Sequence, residues 1–118
     1  MMMRWVAVLL LSGLGVQPAL GEDREWQEEV AHLLSFIEES DCSFIRNGTE
    51  YDSVEARAHI SKKYEYVKKR ISSAEQFITY AASKSSITGT PYQVSCGEAT
   101  MPSSQWLEEA LQHYRAAH

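Results

Sequence analysis

Apolar residues recur along this chain with two different periods. In residues 23 to 40, DREWQEEVAHLLSFIEES, the positions Trp26, Val30, Leu33 and Ile37 fall at i, i+4, i+7 and i+11, and Leu34 widens the stripe. That is one face of a 3.6-residue repeat and predicts an amphipathic helix. The other face is acidic: eight carboxylates and one arginine lie between Glu22 and Asp41. Acids early in a helix are favoured by its dipole. A second helix is predicted from Asp52, with Ala56, Ile60, Tyr64, Val67 and Ile71 inward. Asp52 and Glu55 have the spacing of a capping box. A third, about 73 to 84, is expected to bury Ala74, Phe77, Ile78 and Ala81, with Ser72 as its cap and Glu75 reaching back. The last, about 104 to 115, puts Trp106, Leu107, Ala110, Leu111 and Tyr114 on one side, after Pro102 and a Ser103 cap.

Between the first two helices the period changes. Cys42 to Arg46 and Thr49 to Tyr51 flank Asn47-Gly48. Asn-Gly between strand formers is the strongest short hairpin signal, because both turn residues must take positive φ. Asn47-Gly48-Thr49 is also a glycan acceptor pattern, but that chemistry needs a eukaryotic secretory route. The hairpin corner needs only backbone geometry, and it is the reading adopted. Tyr92, Val94 and Cys96 alternate with polar residues after the Ser/Thr/Gly/Pro loop SKSSITGTP, which predicts one short strand. GEATMPSSQ reads as another loop, and no internal repeat is visible. The fold expected is α+β and mostly helical. It has about four helices, one N-terminal, two central and one C-terminal. Beside them lies a small antiparallel sheet of a hairpin plus one short strand, closed by one disulfide.

The front of the chain has a different character. Arg4 precedes an eleven-residue apolar run, Val6 to Val16, and then QPALG with small residues at Ala19 and Gly21. That order is a secretory signal peptide. The run is shorter than the ~20 residues that cross a bilayer, so the protein is not expected to be membrane-embedded. Residues 1–21 are therefore read as a leader and 22–118 as a single small disulfide-bonded domain, periplasmic or secreted. Without Arg4 the domain has ten basic and sixteen acidic residues, a formal charge of −6. That balance argues against nucleic acid as a partner. The two cysteines, Cys42 and Cys96, are an even pair in an exported chain and read as a disulfide rather than a reactive thiol pair or half of a metal site.

Enzyme templates find no match. H-E-x-x-H, C-x-x-C, S-x-x-K, G-x-S-x-G and a phosphate-cradling glycine loop are all missing. No catalytic residue, metal or cofactor is assigned on that basis. The second helix carries a basic stripe: His59, Lys63, Tyr66 and Arg70 stand at i, i+4, i+7 and i+11. Such a line suits an anion, and an arginine can grip one in a fork. Arg46 on the hairpin extends the patch. Ser85, Ser86 and Gly89 in the serine-rich loop form a second candidate, as hydroxyls and a glycine can line an anion nest. The competing interpretations are a solvated flank for the stripe and a plain chain turn for the loop. His32, His113 and His118 have no evident partners and are expected at the surface.

The blocks CSFIRNGTEY, HISKKYEYVKKRI, AEQFITYAASKSSITGTPYQVSC and SSQWLEEAL together resemble the small exported bacterial proteins grouped as domain of unknown function 5329. The resemblance runs from about Cys42 to Arg115. It implies a bacterial envelope protein and no particular activity. The function expected is a non-catalytic binding module for an anionic small molecule, an acidic polymer or an envelope protein partner. An enzyme of unrecognised type, working in the groove between basic helix and serine loop, and a purely structural envelope protein are the alternatives. Sequencing the N-terminus of protein recovered from outside the cytosol should read Glu22 first; an intact Met1 would overturn the leader.

Overall fold

The computed structural model describes residues 17–118, with side chains from Trp26 onward. Residues 1–16 of the expected leader lie outside the described residues, and the expected cleavage point after Gly21 falls inside the first helix. The elements run α1 (Gln17–Glu39), β1 (Ser43–Arg46), β2 (Thr49–Tyr51), α2 (Ser53–Val67), a 3-10 turn (Lys68–Arg70), α3 (Ala74–Ala81), β3 (Gln93–Cys96), β4 (Ala99–Pro102) and α4 (Ser103–Ala117). The fold is α+β and mostly helical, with four α-helices and one antiparallel sheet among the described residues.

The predicted helical faces are the buried ones. Val30, Leu33, Leu34 and Ile37 of α1, Ala56 and Ile60 of α2, Ala74, Phe77, Ile78 and Ala81 of α3, and Leu107, Ala110 and Leu111 of α4 form one core with Phe44 and Val94. Asp52 and Glu55 exchange hydrogen bonds of 2.8 and 3.1 Å and start α2 as a reciprocal capping box. Asn47 and Gly48 take φ of 53° and 80°, the two positive values a type I′ hairpin turn needs.

Three local expectations are corrected. The cap of α3 is Ser73, which accepts from the Gln76 amide, and not Ser72. Ser103 is not the cap of α4 but its first residue; its hydroxyl donates to the Ala82 carbonyl at 2.7 Å and closes the end of α3 instead. The sheet has four strands, in the order β2-β1-β3-β4, and not a hairpin plus one. The missed strand is β4. It forms a second hairpin about Gly97-Glu98, in which only Gly97 has positive φ, 65°. Glycine first, then an ordinary residue, is the type II′ signature. Pro102 is tolerated because β4 is an edge strand.

The chain also builds the same helix–hairpin–helix unit twice, a repetition its residues hide. Within the hairpins, pairs Phe44↔Tyr51, Ile45↔Glu50 and Arg46↔Thr49 recur fifty positions on as Val94↔Met101, Ser95↔Thr100 and Cys96↔Ala99. The central β1–β3 register obeys the same relation: Phe44 faces Val94, and the pairs Ser43↔Ser95 and Ile45↔Gln93 exchange under it. Ser53 repeats the role of Ser103, donating to the Glu38 carbonyl at the end of α1 at 2.8 Å. Val30, Leu33, Leu34 and Ile37 correspond to Ala74, Phe77, Ile78 and Ala81, forty-four positions on and equally buried. The difference between fifty and forty-four places six extra residues in the serine-rich loop before β3.

Cys42 and Cys96 are bonded, Cα to Cα 4.7 Å, one from each half. Each half alone is a helix pair over a two-stranded ribbon, so the bond ties the halves at the sheet. For a separation of 54 residues the chain-entropy contribution is about 4 kcal/mol. The double substitution Cys42→Ala/Cys96→Ala should therefore lower Tm by about 15–30 °C in a domain of this size. A calorimetric shift of only a few degrees would contradict that role.

Candidate functional site

A pocket of about 200 Å³ opens between the first hairpin and α2, lined by Phe44, Ile45, Arg46, Tyr51, Glu55, Ala56, His59, Ile60, Tyr92 and Ser103. Its inner wall is apolar, because Phe44 on β1 and Ala56 and Ile60 on α2 are core residues that show one side to the opening. The polar groups sit at the mouth. The Arg46 guanidinium lies 5.1 Å above the Tyr51 ring centroid, a cation–π distance, and its Nη2 donates to Tyr51 Oη at 2.9 Å. Glu55 is engaged by the Asp52 amide.

Opposite stands Tyr92, almost fully buried. Lys63 Nζ donates to its hydroxyl at 3.0 Å and to the Lys84 carbonyl at 2.8 Å. The ammonium cannot accept a bond, so the tyrosine proton is free to point the other way, to His59 Nε2 at 3.3 Å. That arrangement needs an imidazole that is neutral and accepts at Nε2. The His59 pKa is indeed held below its ordinary value of 6.5, first by burial, then by the charges of Arg46, Lys63 and Lys62. The sign follows. The depressed value favours the neutral ring in the fold, so its contribution to stability is full above about 6.5 and is lost as pH falls through the lowered folded value.

Three of the basic residues are held in ion pairs, while others, Lys62, Lys69, Arg70 and Lys84 included, are in none among the described residues. Arg57 bonds Glu38, Lys68 bonds Glu65, and Arg115 bonds both Glu29 and Glu75, fastening α4 to α1 and α3. Among the described residues Arg46, His59 and Lys63 have no carboxylate within ion-pair distance, although the acidic helix is a neighbour. Of the sequence candidates, Arg46 and His59 line the pocket and Lys63 stands behind Tyr92. Tyr66 and Arg70 do not join them: Tyr66 is 74% exposed, and Arg70 sits in the 3-10 turn with its guanidinium on the Tyr66 carbonyl. The helix ends at Val67, so the i+11 alignment is lost.

The loop candidates are also off the pocket wall. Ser85 is buried, and its oxygen accepts from the Ile87 and Thr88 amides and from Asn47 Nδ2 at 3.2, 3.3 and 3.3 Å. Thr88 in turn donates to Asn47 Oδ1 at 2.7 Å. These bonds pin the loop to the hairpin corner. Ser86 is exposed, and Gly89 supplies a φ of 77° for the turn, its amide donating to the Ser85 carbonyl.

Tyr51, Glu55, Ala56 and Tyr92 were not foreseen as site residues. Glu55 was within reach, since Glu55, His59 and Lys63 continue the stripe one turn toward the N-terminus. The histidines expected at the surface differ in one case: His32 is half-buried, stacked on Tyr114 at 4.3 Å, with His118 against the same ring at 4.2 Å.

Residues 24–115 match a protein family described as a family of unknown function, DUF5329. The chain belongs to that family. It is also 44% identical over 62 residues to the uncharacterized protein YfeK of Salmonella typhimurium, covering 52% of each chain, so it spans about half the length of that curated relative. No solved structure matches. Among the described residues no helix is long and apolar enough to cross a membrane, and no cluster of three or more His, Cys, Asp or Glu has metal-binding geometry.

The His59 environment can be measured. Its ring should titrate below 6.5, and Arg46→Gln should raise that value, because a like charge is removed. Imidazole NMR shifts against pH read this directly; an unchanged midpoint would mean that Arg46 does not act on the ring.

Proposed function

We propose that this protein works outside the cytosol, periplasmic or secreted, as a binding module for a small anionic ligand held in the pocket between the first hairpin and α2. The single observation that carries the reading is Arg46. It is a half-buried guanidinium at a concave mouth, with one hydrogen bond to a tyrosine and no acid partner among the described residues. A fork of donors left this way is a ready anion seat. Lys63 adds to the positive potential, and the apolar wall excludes water and strengthens it. The disulfide supports an oxidising compartment. The module has no catalytic group and no cofactor in this reading, and concavity favours a small molecule over an acidic polymer or a protein partner.

A panel of carboxylates and phosphates, screened by amide NMR shifts, tests it. Binding anions should move Phe44, Arg46 and His59 together, weaken with added salt, and lose about 10–100-fold in affinity in Arg46→Gln. Affinity should also rise as pH falls through the lowered His59 value, where protonation of the ring adds a further positive charge. Shifts confined to Tyr66 and Arg70, or no dependence on Arg46, would sink the assignment.

A further inference from the structure

The pocket between the first hairpin and α2 has a feature that a plain anion seat does not need. Its lining holds an acid, Glu55, as well as the Arg46 cation. Opposite charges on one small pocket attract, yet no ion pair joins these two among the described residues. Each is tethered to its own element instead. Arg46 is held over the Tyr51 ring on the hairpin, with Nη2 donating to Tyr51 Oη. Glu55 Oε1 accepts from the Asp52 amide at 3.1 Å in the capping box of α2. The charges are kept apart, with the opening between them. Most other polar groups of the lining are already spent. Ser103 donates to the Ala82 carbonyl, and the Tyr92 hydroxyl is taken up by Lys63 and His59. What remains at the mouth is asymmetric. Arg46 spends one N–H on Tyr51, and its other donors have no acceptor among the described residues. Tyr51 accepts that bond, so its own proton points elsewhere. Glu55 keeps Oε2, an acceptor with no donor among the described residues. Donors therefore stand on the hairpin side and an acceptor on the helix side, above the apolar wall of Phe44, Ala56 and Ile60.

We infer that the ligand is a zwitterion, a free α-amino acid with an aliphatic side chain: its carboxylate meets Arg46 and Tyr51, its ammonium meets Glu55, and its side chain lies against Phe44, Ala56 and Ile60. The inference rests on the anion-binding reading above, since Arg46 is the carboxylate seat in both. A carboxylate alone uses half of this arrangement and is repelled by Glu55. An ammonium on the same molecule turns that repulsion into attraction. The α2 dipole does not prevent this. Its roughly half a positive charge at the helix N-terminus is outweighed by two carboxylates over the first turn, Asp52 and Glu55. An α-amino acid carries both charges at one end and its body at the other, as the pocket does. The volume of about 200 Å³ is below the ~300–1,000 Å³ of most drug-sized sites and suits so small a ligand.

L-leucine is the probe. 4-Methylpentanoate is the same molecule without its ammonium, and 3-methylbutylamine the same without its carboxylate; each is titrated by calorimetry and amide NMR. Leucine should bind at least about tenfold more tightly than either fragment, since each charge-assisted contact contributes that much. Glu55→Gln separates the two charges of the site. Glutamine keeps the capping box, so Tm should stay within a few degrees of the wild type. The variant should weaken leucine by at least about tenfold and bind 4-methylpentanoate as tightly or more tightly, because a repelling charge is gone. Arg46→Gln should weaken both. If 4-methylpentanoate, or any anion of the panel, binds at least as tightly as leucine and depends on Arg46, the zwitterion is overturned and the anion reading stands. A leucine affinity unchanged in Glu55→Gln overturns it as well. If 3-methylbutylamine binds as tightly as leucine and Arg46→Gln alters neither, Arg46 is no anion seat and both readings fall. If neither leucine nor any anion perturbs the pocket, the anion reading itself has failed.

Discussion

The antiparallel pairing of β1 with β3 is the contact on which the molecule depends. These strands are the inner pair of the sheet and come from opposite halves of the chain. A two-stranded ribbon is marginal in water by itself. Joined back to back they make a four-stranded sheet with one face for four helices. Phe44 and Val94 face each other at its centre, and both are core residues. A slip of one residue would turn both outward. The disulfide lies just beyond this pair, packed against the edge of the core, and fixes the register there.

The sequence carried the helices well, because a buried stripe on a charged cylinder leaves a strong periodic trace. Leu33, Phe77 and Leu107 were each legible as core. The first hairpin was legible for a different reason: Asn47-Gly48 is a local backbone requirement and needs no tertiary context. The second was not, because Gly97-Glu98 is a weaker turn signal and β4 contains Pro102, which argues for a loop until the strand is known to be an edge. The duplication was hidden by chemistry. Equivalent positions share burial rather than residue type, as Phe44 and Val94 or Ile60 and Ala110 do, and the six additional residues before β3 break the spacing.

The candidate site was half legible. His59 and Lys63 could be picked out from their i, i+4 spacing on the predicted helix, and Arg46 as a basic residue on the neighbouring hairpin. Tyr92 could not, since its partners His59 and Lys63 are 33 and 29 residues away in the chain. Tyr66 and Arg70 were drawn in by a helical wheel that the 3-10 turn interrupts. The serine loop looked like a ligand cradle and is built as a brace, its hydroxyls spent on Asn47 and on its own amides. What the loop does for the site is indirect: it carries Tyr92 into position and receives the Lys63 ammonium on the Lys84 carbonyl.

Each half contributes one cysteine. With one cysteine in each half, neither half can form the bond by itself. A chain released with its second half unmade would keep a lone thiol and remain open to trapping by other thiols. Covalent closure thus requires both units to have been made, and it records in a single bond that they belong to one chain.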